Sequence, residues 1–178
     1  MLPPGRSEDL QLAWEGFRHV LGLYGKNLES LNEGCSAAAI AEVEAGLGIQ
    51  LPPSLVQLLQ LANGQKKDTP GIFKSVSGWD VYCRHAFLDL EGIAAAYRRF
   101  VEYELLLTEF GPSEVPFTAD QVKGLHSEAF TVDLRDGRVS LIWTEAADPW
   151  LPPEWQVLRF TRGANLAEFL RVQTWMYW

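Results

Sequence analysis

A chain of 178 residues, 47% of them hydrophobic, is long enough to bury one substantial core and too short to favour two domains. Its formal net charge of -8 disfavours a nucleic-acid-binding protein, because neutralising phosphates requires clustered Lys and Arg. Residues 1–10 hold prolines and acidic side chains where a signal peptide would have an apolar run, and no stretch reaches transmembrane length. We therefore expect a cytoplasmic protein.

The first 64 residues predict three helices. Apolar residues at helical spacing mark the first helix: Leu10, Trp14, Phe17, Leu21, Tyr24 and Leu28. Residues 36–64 predict two further helices joined by a proline-stiffened corner. Ser36 can cap the first of them, and Gly48 can end it because the left-handed conformation is free of strain only for glycine. Pro53 fits the first turn of the next helix, which residues 63–64 end.

The rest of the chain predicts a long helix, several strands and a closing helix. Asp89 can cap the long helix, which residues 111–112 end. Alternating apolar and polar residues predict strands at 79–84, 130–134, 139–143 and 157–160. Between two of them, Asp-Gly at residues 136–137 predicts a two-residue hairpin turn. Asn165 and Glu168 resemble a capping box that opens the last helix. This order predicts an α+β domain with a mainly antiparallel sheet.

One pattern in the first half is similar to that of a known family. It comprises a glutamate-bearing helix, then Leu-Gly-Ile, then Leu-Pro, then a leucine-rich helix ending in Asn-Gly. Here it is written Glu44, Leu47, Gly48, Ile49, Leu51, Pro52, Leu55, Leu58, Leu59, Asn63 and Gly64. In this order and spacing the chain resembles the SUKH superfamily. A Val115-Pro116-Phe117 entry, a Val132-Asp133-Leu134 strand and a helix around Phe169 and Leu170 also fit.

The resemblance implies a versatile protein-binding α+β domain. Members include yeast Knr-type regulators of cell-wall synthesis and many bacterial immunity proteins that neutralise toxins. The matching motifs are structural ones, so they indicate a fold better than a function. We interpret the chain as a single domain with a helical extension at residues 1–35, a core that carries the resemblance at 36–170 and an aromatic tail at 171–178.

No motif indicates catalysis, a metal or a cofactor. The nucleophile turn Gly-x-Ser-x-Gly is missing, and the two cysteines lack the spacing of metal or redox sites. His19, His85 and His126 form no ligand pattern, and we expect the last two at the surface or in structural hydrogen bonds. We therefore expect no enzyme and no cofactor. A site built from residues that converge only in the fold stays open as an alternative.

Seven tryptophans in one small domain, several beside carboxylates, are the strongest signal for binding. Tryptophan is over-represented among the residues that anchor protein interfaces. The prolines of residues 147–155 favour a rigid, acidic, Trp-bearing loop. The predicted partner-binding residues are Trp79, Asp80, Asp133, Asp148, Trp150, Glu154 and Trp155. For Trp14, Trp79 and Trp143, we favour the interpretation that the indole rings fill the core.

The tail residues Trp175, Met176, Tyr177 and Trp178 are unusually apolar. Either they dock on the domain, or they offer an apolar patch to a partner or a second copy. We expect docking.

These observations favour a non-enzymatic protein-binding module, most concretely a bacterial immunity protein that neutralises a cognate toxin by covering its active surface. The net charge of -8 would suit a basic toxin such as a nuclease. A regulatory scaffold that binds several client proteins is the alternative, and an unrecognised enzyme or small-molecule binder is the third. The sequence leaves the toxin and the oligomeric state open.

Overall fold

The computed structural model describes residues 7–24, 28–75, 83–105, 112–121, 126–145 and 157–178. Their helices are α1 (Ser7–Leu23), α2 (Ala37–Leu47), α3 (Pro53–Leu61), α4 (Leu90–Leu105) and α5 (Leu166–Trp175), with a 3-10 turn at Leu28–Ser30. Their strands are β1 (Phe73–Ser75), β2 (Cys83–Phe87), β3 (Glu114–Pro116), β4 (Thr118–Asp120), β5 (His126–Asp133), β6 (Val139–Glu145) and β7 (Val157–Gly163). No helix among these residues is both long and apolar enough to cross a membrane.

Local sequence signals set the ends of α2 and α3, as predicted. Ser36 Oγ accepts a hydrogen bond from the Ala39 N–H at 3.2 Å, which caps the first turn of α2. Gly48 ends α2 in the left-handed conformation, with a φ of 69°. Pro53 occupies the first turn of α3, where its missing N–H leaves no hydrogen bond unmade. Short side chains and backbone preferences therefore fix this corner.

Side-chain caps also open α4 and α5. Asp89 Oδ1 accepts a hydrogen bond from the Gly92 N–H at 2.7 Å, and Asn165 Oδ1 accepts one from the Glu168 N–H at 2.9 Å. The Glu168 carboxylate in turn accepts from the N–H of Ala164. The Asn165 cap confirms the predicted start of α5, while Glu168 bonds the residue before the cap instead of the cap itself.

The strands form two antiparallel sheets, one of three strands in the order β1-β2-β4 and one of four in the order β3-β5-β6-β7. The chain passes from one sheet to the other at Phe117. Its N–H donates to the carbonyl of Phe130, and its own carbonyl accepts from the N–H of Leu88, both at 3.0 Å. The predicted α+β class and antiparallel pairing are confirmed, but the strands form two sheets, linked by the hydrogen bonds of Phe117, where a single sheet was predicted.

The predicted β5–β6 hairpin is present, but the two-residue turn is wrong. Asp133 N–H donates to the Arg138 carbonyl at 2.9 Å, and Gly137 N–H donates back to the Asp133 carbonyl at 3.0 Å. Residues 134–137 therefore lie between the last paired positions. Gly137 supplies the left-handed residue of this longer turn, at a φ of 71°.

Three predictions fall partly or wholly outside the described residues. The strand predicted at 79–84 is described only from Cys83, where β2 begins. Helix α4 is described as far as Leu105, so its predicted end at residue 111 is not covered. The loop at 147–155 lies entirely outside.

One aromatic cluster joins α1, both sheets and α5. Its centre is Phe73, whose ring centroid lies 5.4 Å from Phe17, 5.7 Å from Phe87, 6.0 Å from Phe117 and 5.3 Å from Phe169. All of these side chains are fully buried. Trp14 also belongs to the core, as predicted, whereas the side chains of Trp79 and Trp143 are outside what the structure describes.

Candidate functional site

Six of the seven predicted partner-binding residues lie outside the described residues: Trp79, Asp80, Asp148, Trp150, Glu154 and Trp155. Their role stays a prediction. The seventh, Asp133, ends β5 and is buried. Its carboxylate accepts hydrogen bonds from the backbone N–H groups of Arg135 at 2.7 Å and Asp136 at 3.3 Å. The structure thus shows Asp133 holding the hairpin turn, and its part in binding stays a prediction.

The Asp133 carboxylate also forms an ion pair with Arg135, whose Nη2 lies 2.9 Å from Oδ2. Hydrogen bonding to this guanidinium is the main reason that the pKa of the Asp133 carboxyl lies below its usual range. Asp133 therefore stays ionised at neutral pH, with both of its oxygens engaged by groups of the same turn.

The residues of the family-like pattern hold the scaffold together. Glu44 Oε1 accepts a hydrogen bond from the Leu51 N–H at 2.7 Å and so ties the end of α2 to the corner before α3. Asn63 Oδ1 accepts one from the Leu90 N–H at 2.8 Å, which joins the end of α3 to the start of α4. Gly64 has a φ of 66° and packs so closely on the backbone of residues 88–89 that a Cβ would clash. These contacts join α2, α3 and α4 to one another.

A buried polar cluster links β1, β2 and β5. His85 Nε2 lies 2.9 Å from Ser75 Oγ and 3.4 Å from Glu128 Oε2, and the Ser75 hydroxyl donates to Glu128 at 3.1 Å. All three residues are buried, with at most 6% of their surface exposed. The His85 ring also lies against Phe130, with 4.8 Å between centroids. Its Nδ1 has no hydrogen-bond partner among the described residues.

This cluster has the residue types of a catalytic triad without its geometry. In a triad, the nucleophile and the orienting carboxylate use different nitrogens of the imidazole. Here Ser75 and Glu128 both lie against Nε2 of His85, and all three side chains are closed to solvent. The arrangement gives Ser75, Glu128 and Nε2 of His85 polar partners inside the fold. It confirms the predicted structural hydrogen bonding of His85.

Metal and thiol chemistry gain no support from the described residues. No group of three or more His, Cys, Asp or Glu side chains among them is placed to hold a metal ion. Cys35 is half-buried, and its Sγ donates to the Leu59 carbonyl at 3.3 Å. Burial raises the pKa of the Cys35 thiol, which disfavours the reactive thiolate.

The tail docks through Tyr177, as predicted. Its hydroxyl donates to the Ile72 carbonyl at 2.6 Å, and its ring meets that of Phe17 edge-on at 6.1 Å. Lys74 Nζ lies 3.8 Å from the ring centroid. Burial raises the pKa of Tyr177 to about 12, so the phenol stays a neutral hydrogen-bond donor at physiological pH.

Two tryptophans of the docked tail nevertheless project into solvent. Trp175 is 78% exposed and Trp178 is 74% exposed. Together with Thr174 they border an open cavity of about 550 Å³. The Trp178 ring stands edge-on to Tyr24 at 6.1 Å. We define the aromatic face as Leu23, Tyr24, Val172, Trp175 and Trp178, all exposed residues at the ends of α1 and α5.

A family model described as SMI1 / KNR4 family (SUKH-1) matches residues 34–171. No curated protein matches the chain. The matched range contains α2 to α4, all the described strands and the first part of α5. Helix α1 and residues 172–178 lie outside it.

Proposed function

The chain belongs to the SMI1/KNR4 (SUKH-1) family, and on this premise we propose that it is a non-enzymatic protein-binding module. Most concretely, it is a bacterial immunity protein that neutralises a cognate toxin by covering the toxin's active surface. The observation that carries this proposal is the family match over residues 34–171, which confirms the resemblance drawn from the sequence.

The charge of the molecule selects the class of partner. A net charge of -8 speeds encounter with a basic protein and disfavours acidic competitors. A nuclease toxin fits this requirement, because its own substrate demands a basic surface. The immunity protein would then cover the groove in which the toxin binds nucleic acid.

The first test is an affinity pull-down of the tagged protein from a lysate of its source cells, with washes at low and high salt. Mass spectrometry identifies the bound proteins. We expect one stoichiometric basic partner that survives the high-salt wash. Many sub-stoichiometric partners that salt removes would favour the regulatory scaffold instead. An absence of bound protein would contradict both and return attention to small molecules or catalysis.

The second test locates the binding surface on the loop predicted from the sequence. Trp150→Ala and Glu154→Gln should each weaken the complex about tenfold or more, because central tryptophans and desolvated charges dominate interface energies. Matched controls are Trp175→Ala and Glu91→Gln, which remove an exposed indole and an exposed carboxylate elsewhere. Titration calorimetry with the purified partner measures each affinity. Equal losses in the controls would place the interface away from the loop.

A further inference from the structure

Three of the strands that end a sheet, β1, β4 and β3, are closed by the rest of the fold. On β1, the Gln173 side chain takes the place of a neighbouring strand. Its Oε1 accepts from the Lys74 N–H at 2.7 Å, and its Nε2 donates to the Lys74 carbonyl at 2.8 Å. Strand β4 packs against β5, where Thr118 Oγ1 accepts from the Phe130 N–H at 2.8 Å. Strand β3 is buried along its whole length.

Strand β7 is the fourth edge, and it is open. In the described part of the chain it is hydrogen-bonded to β6 alone, at the end of the order β3-β5-β6-β7. Phe160, Thr161 and Arg162 are all exposed, so solvent reaches both faces of the strand at these positions. An unpaired edge of this kind presents N–H and C=O groups on which another strand can pair.

The pairing across the sheet shows which backbone groups of β7 point outward. The N–H and C=O of Phe130 are both taken by β4 and the residue before it, so Phe130 turns away from β6. In an antiparallel sheet this direction alternates from residue to residue. Leu141, opposite Phe130, therefore bonds to β7, and its partner Phe160 bonds back to β6. The N–H and C=O groups of Arg159 and Thr161 consequently point to the open edge.

The charge of β7 selects the strand that can pair with it. Its residues include Arg159 and Arg162 and no Asp or Glu. The Arg162 guanidinium lies 5.7 Å from the centroid of the exposed Phe160 ring. Pairing with β7 of a second copy would bring arginines together, which is unfavourable, whereas a strand that carries carboxylates gains cross-strand ion pairs.

The charged groups near the end of β7 leave this preference in place. Arg138 precedes Val139, the residue opposite Gly163, and its guanidinium pairs with Asp136 at 3.3 Å. Glu168 is exposed beyond Gly163, where its carboxylate accepts from the N–H of the residue that precedes the α5 cap. The two arginines lie within β7, whereas these carboxylates lie outside it.

We propose that the open edge of β7 binds an extended, acidic segment of another protein by strand addition. The backbone of this segment pairs with the outward groups of Arg159 and Thr161, and one of its carboxylates pairs with the Arg162 guanidinium. Another extended backbone is the structure that presents N–H and C=O groups at the matching spacing. The site goes beyond the proposed function and does not rest on it.

Two capped peptides of the length of β7 test the site, one alternating valine with glutamate and one alternating valine with lysine. In NMR titrations of the full chain, the glutamate peptide should shift the amide signals of Arg159 and Thr161 saturably and slow their exchange with solvent. The lysine peptide should bind this edge about fivefold more weakly, because like charges then face each other across the strands. The net charge of -8 favours the lysine peptide elsewhere, so the opposite preference is specific to β7.

A proline at the edge tests the backbone contact. Thr161→Pro removes one outward N–H and leaves the bonds to β6, since proline is tolerated on edge strands. It should raise the dissociation constant of the glutamate peptide about tenfold, because a peptide carbonyl loses its partner. The matched control Thr161→Ala keeps the N–H and should bind as the wild type does. A glutamate peptide methylated on its backbone nitrogens makes the same test with the unaltered protein and should not bind.

Several results would overturn strand addition. Amides of Arg159 and Thr161 that already resist exchange in the free protein would mean that the chain itself covers this edge, or that a second copy does if sedimentation shows a dimer. Equal binding of the two peptides, or of neither, would contradict the acidic partner. An affinity that both Thr161→Pro and backbone methylation leave unchanged would place the peptide elsewhere. The pull-down tests the toxin and the peptides test β7, so either proposal can fail alone.

Discussion

Asp133 combines three interactions at one turn. Its carboxylate receives two backbone N–H groups and the Arg135 guanidinium, so replacing it removes more than a surface charge. We expect Asp133→Ala to lower the free energy of unfolding by about 1–2 kcal/mol, since each lost hydrogen bond is worth roughly 1 kcal/mol. Asp133→Asn should cost less, because an amide oxygen still accepts the backbone bonds. Urea denaturation measures both, and Asp136→Asn is the control.

The pH dependence of that difference follows from the lowered pKa of Asp133. The carboxylate stabilises the folded state fully above its unfolded pKa of about 3.9. This contribution is lost as the pH falls through the lower folded-state pKa. The gap between wild type and Asp133→Asn should therefore be constant from about pH 5 to pH 8 and shrink below about pH 4. A gap that widens in acid would contradict the assigned ion pair.

Buried polar residues were the hardest single positions to predict. Gln65 is buried, and its Oε1 accepts from the N–H groups of Ile72 at 3.3 Å and Phe87 at 2.8 Å. Ser75 and Glu128 are likewise internal. A glutamine or glutamate looks the same in sequence whether it faces water or closes a buried hydrogen bond. Of these residues, only His85 has a sequence pattern that indicates burial, because the period-two alternation of β2 places it on the same face as the buried Phe87.

At the scale of the element, two glycines have similar backbone angles but different surroundings. Replacing each by alanine therefore distinguishes the cost of backbone strain from the cost of a steric clash. Gly48 and Gly64 have φ values of 69° and 66°, but only Gly64 would place a Cβ against neighbouring backbone. Gly48→Ala should cost about 1 kcal/mol, the penalty for a left-handed alanine. Gly64→Ala should cost at least about 2 kcal/mol more, since residues 88–89 must move. Thermal or urea unfolding of both variants gives the comparison, and equal losses would contradict the close packing.

The helix ends were predictable because their causes are local. Ser36, Asp89 and Asn165 each cap a helix through atoms within three residues of themselves, so the sequence contains the whole interaction. The length of the β5–β6 turn was predicted wrongly although its cause is also local. Asp-Gly at 136–137 favours a short turn, but Asp133 captures the N–H groups two and three residues ahead and lengthens it. The Asp-Gly pair and the Asp133 side chain favour turns of different length, and the sequence alone does not show which of the two preferences is stronger.

At the scale of the molecule, the α+β class and antiparallel pairing followed from the order and period of the apolar residues. The division into two sheets did not, because the pairing of strands that are distant in the chain leaves no local signal in the sequence. The aromatic face also needed the structure. The sequence posed docking and exposure as alternatives, whereas the tail does both, with Tyr177 buried and Trp175 and Trp178 in solvent.

The core extends beyond the family-matched range, and this makes α1 indispensable. Phe17 is fully buried and stacks on Phe73 at 5.4 Å, although residues 7–23 precede the match at 34–171. Phe17→Ala should therefore destabilise the protein by about 3–5 kcal/mol, the usual cost of removing a buried ring. Leu12→Ala is the matched control on the same helix, because Leu12 is 65% exposed and should change stability by no more than about 0.5 kcal/mol.

The shape of the unfolding curve shows whether α1 unfolds together with the two sheets or separately from them. If α1 completes one core with both sheets, Phe17→Ala shifts a single cooperative urea transition to lower concentration and leaves its slope unchanged. A small loss of stability, or a separate early transition assigned to α1, would mean that the family segment folds without it. The cluster around Phe73 favours the first result, since this one ring touches α1, β2 and α5 at once.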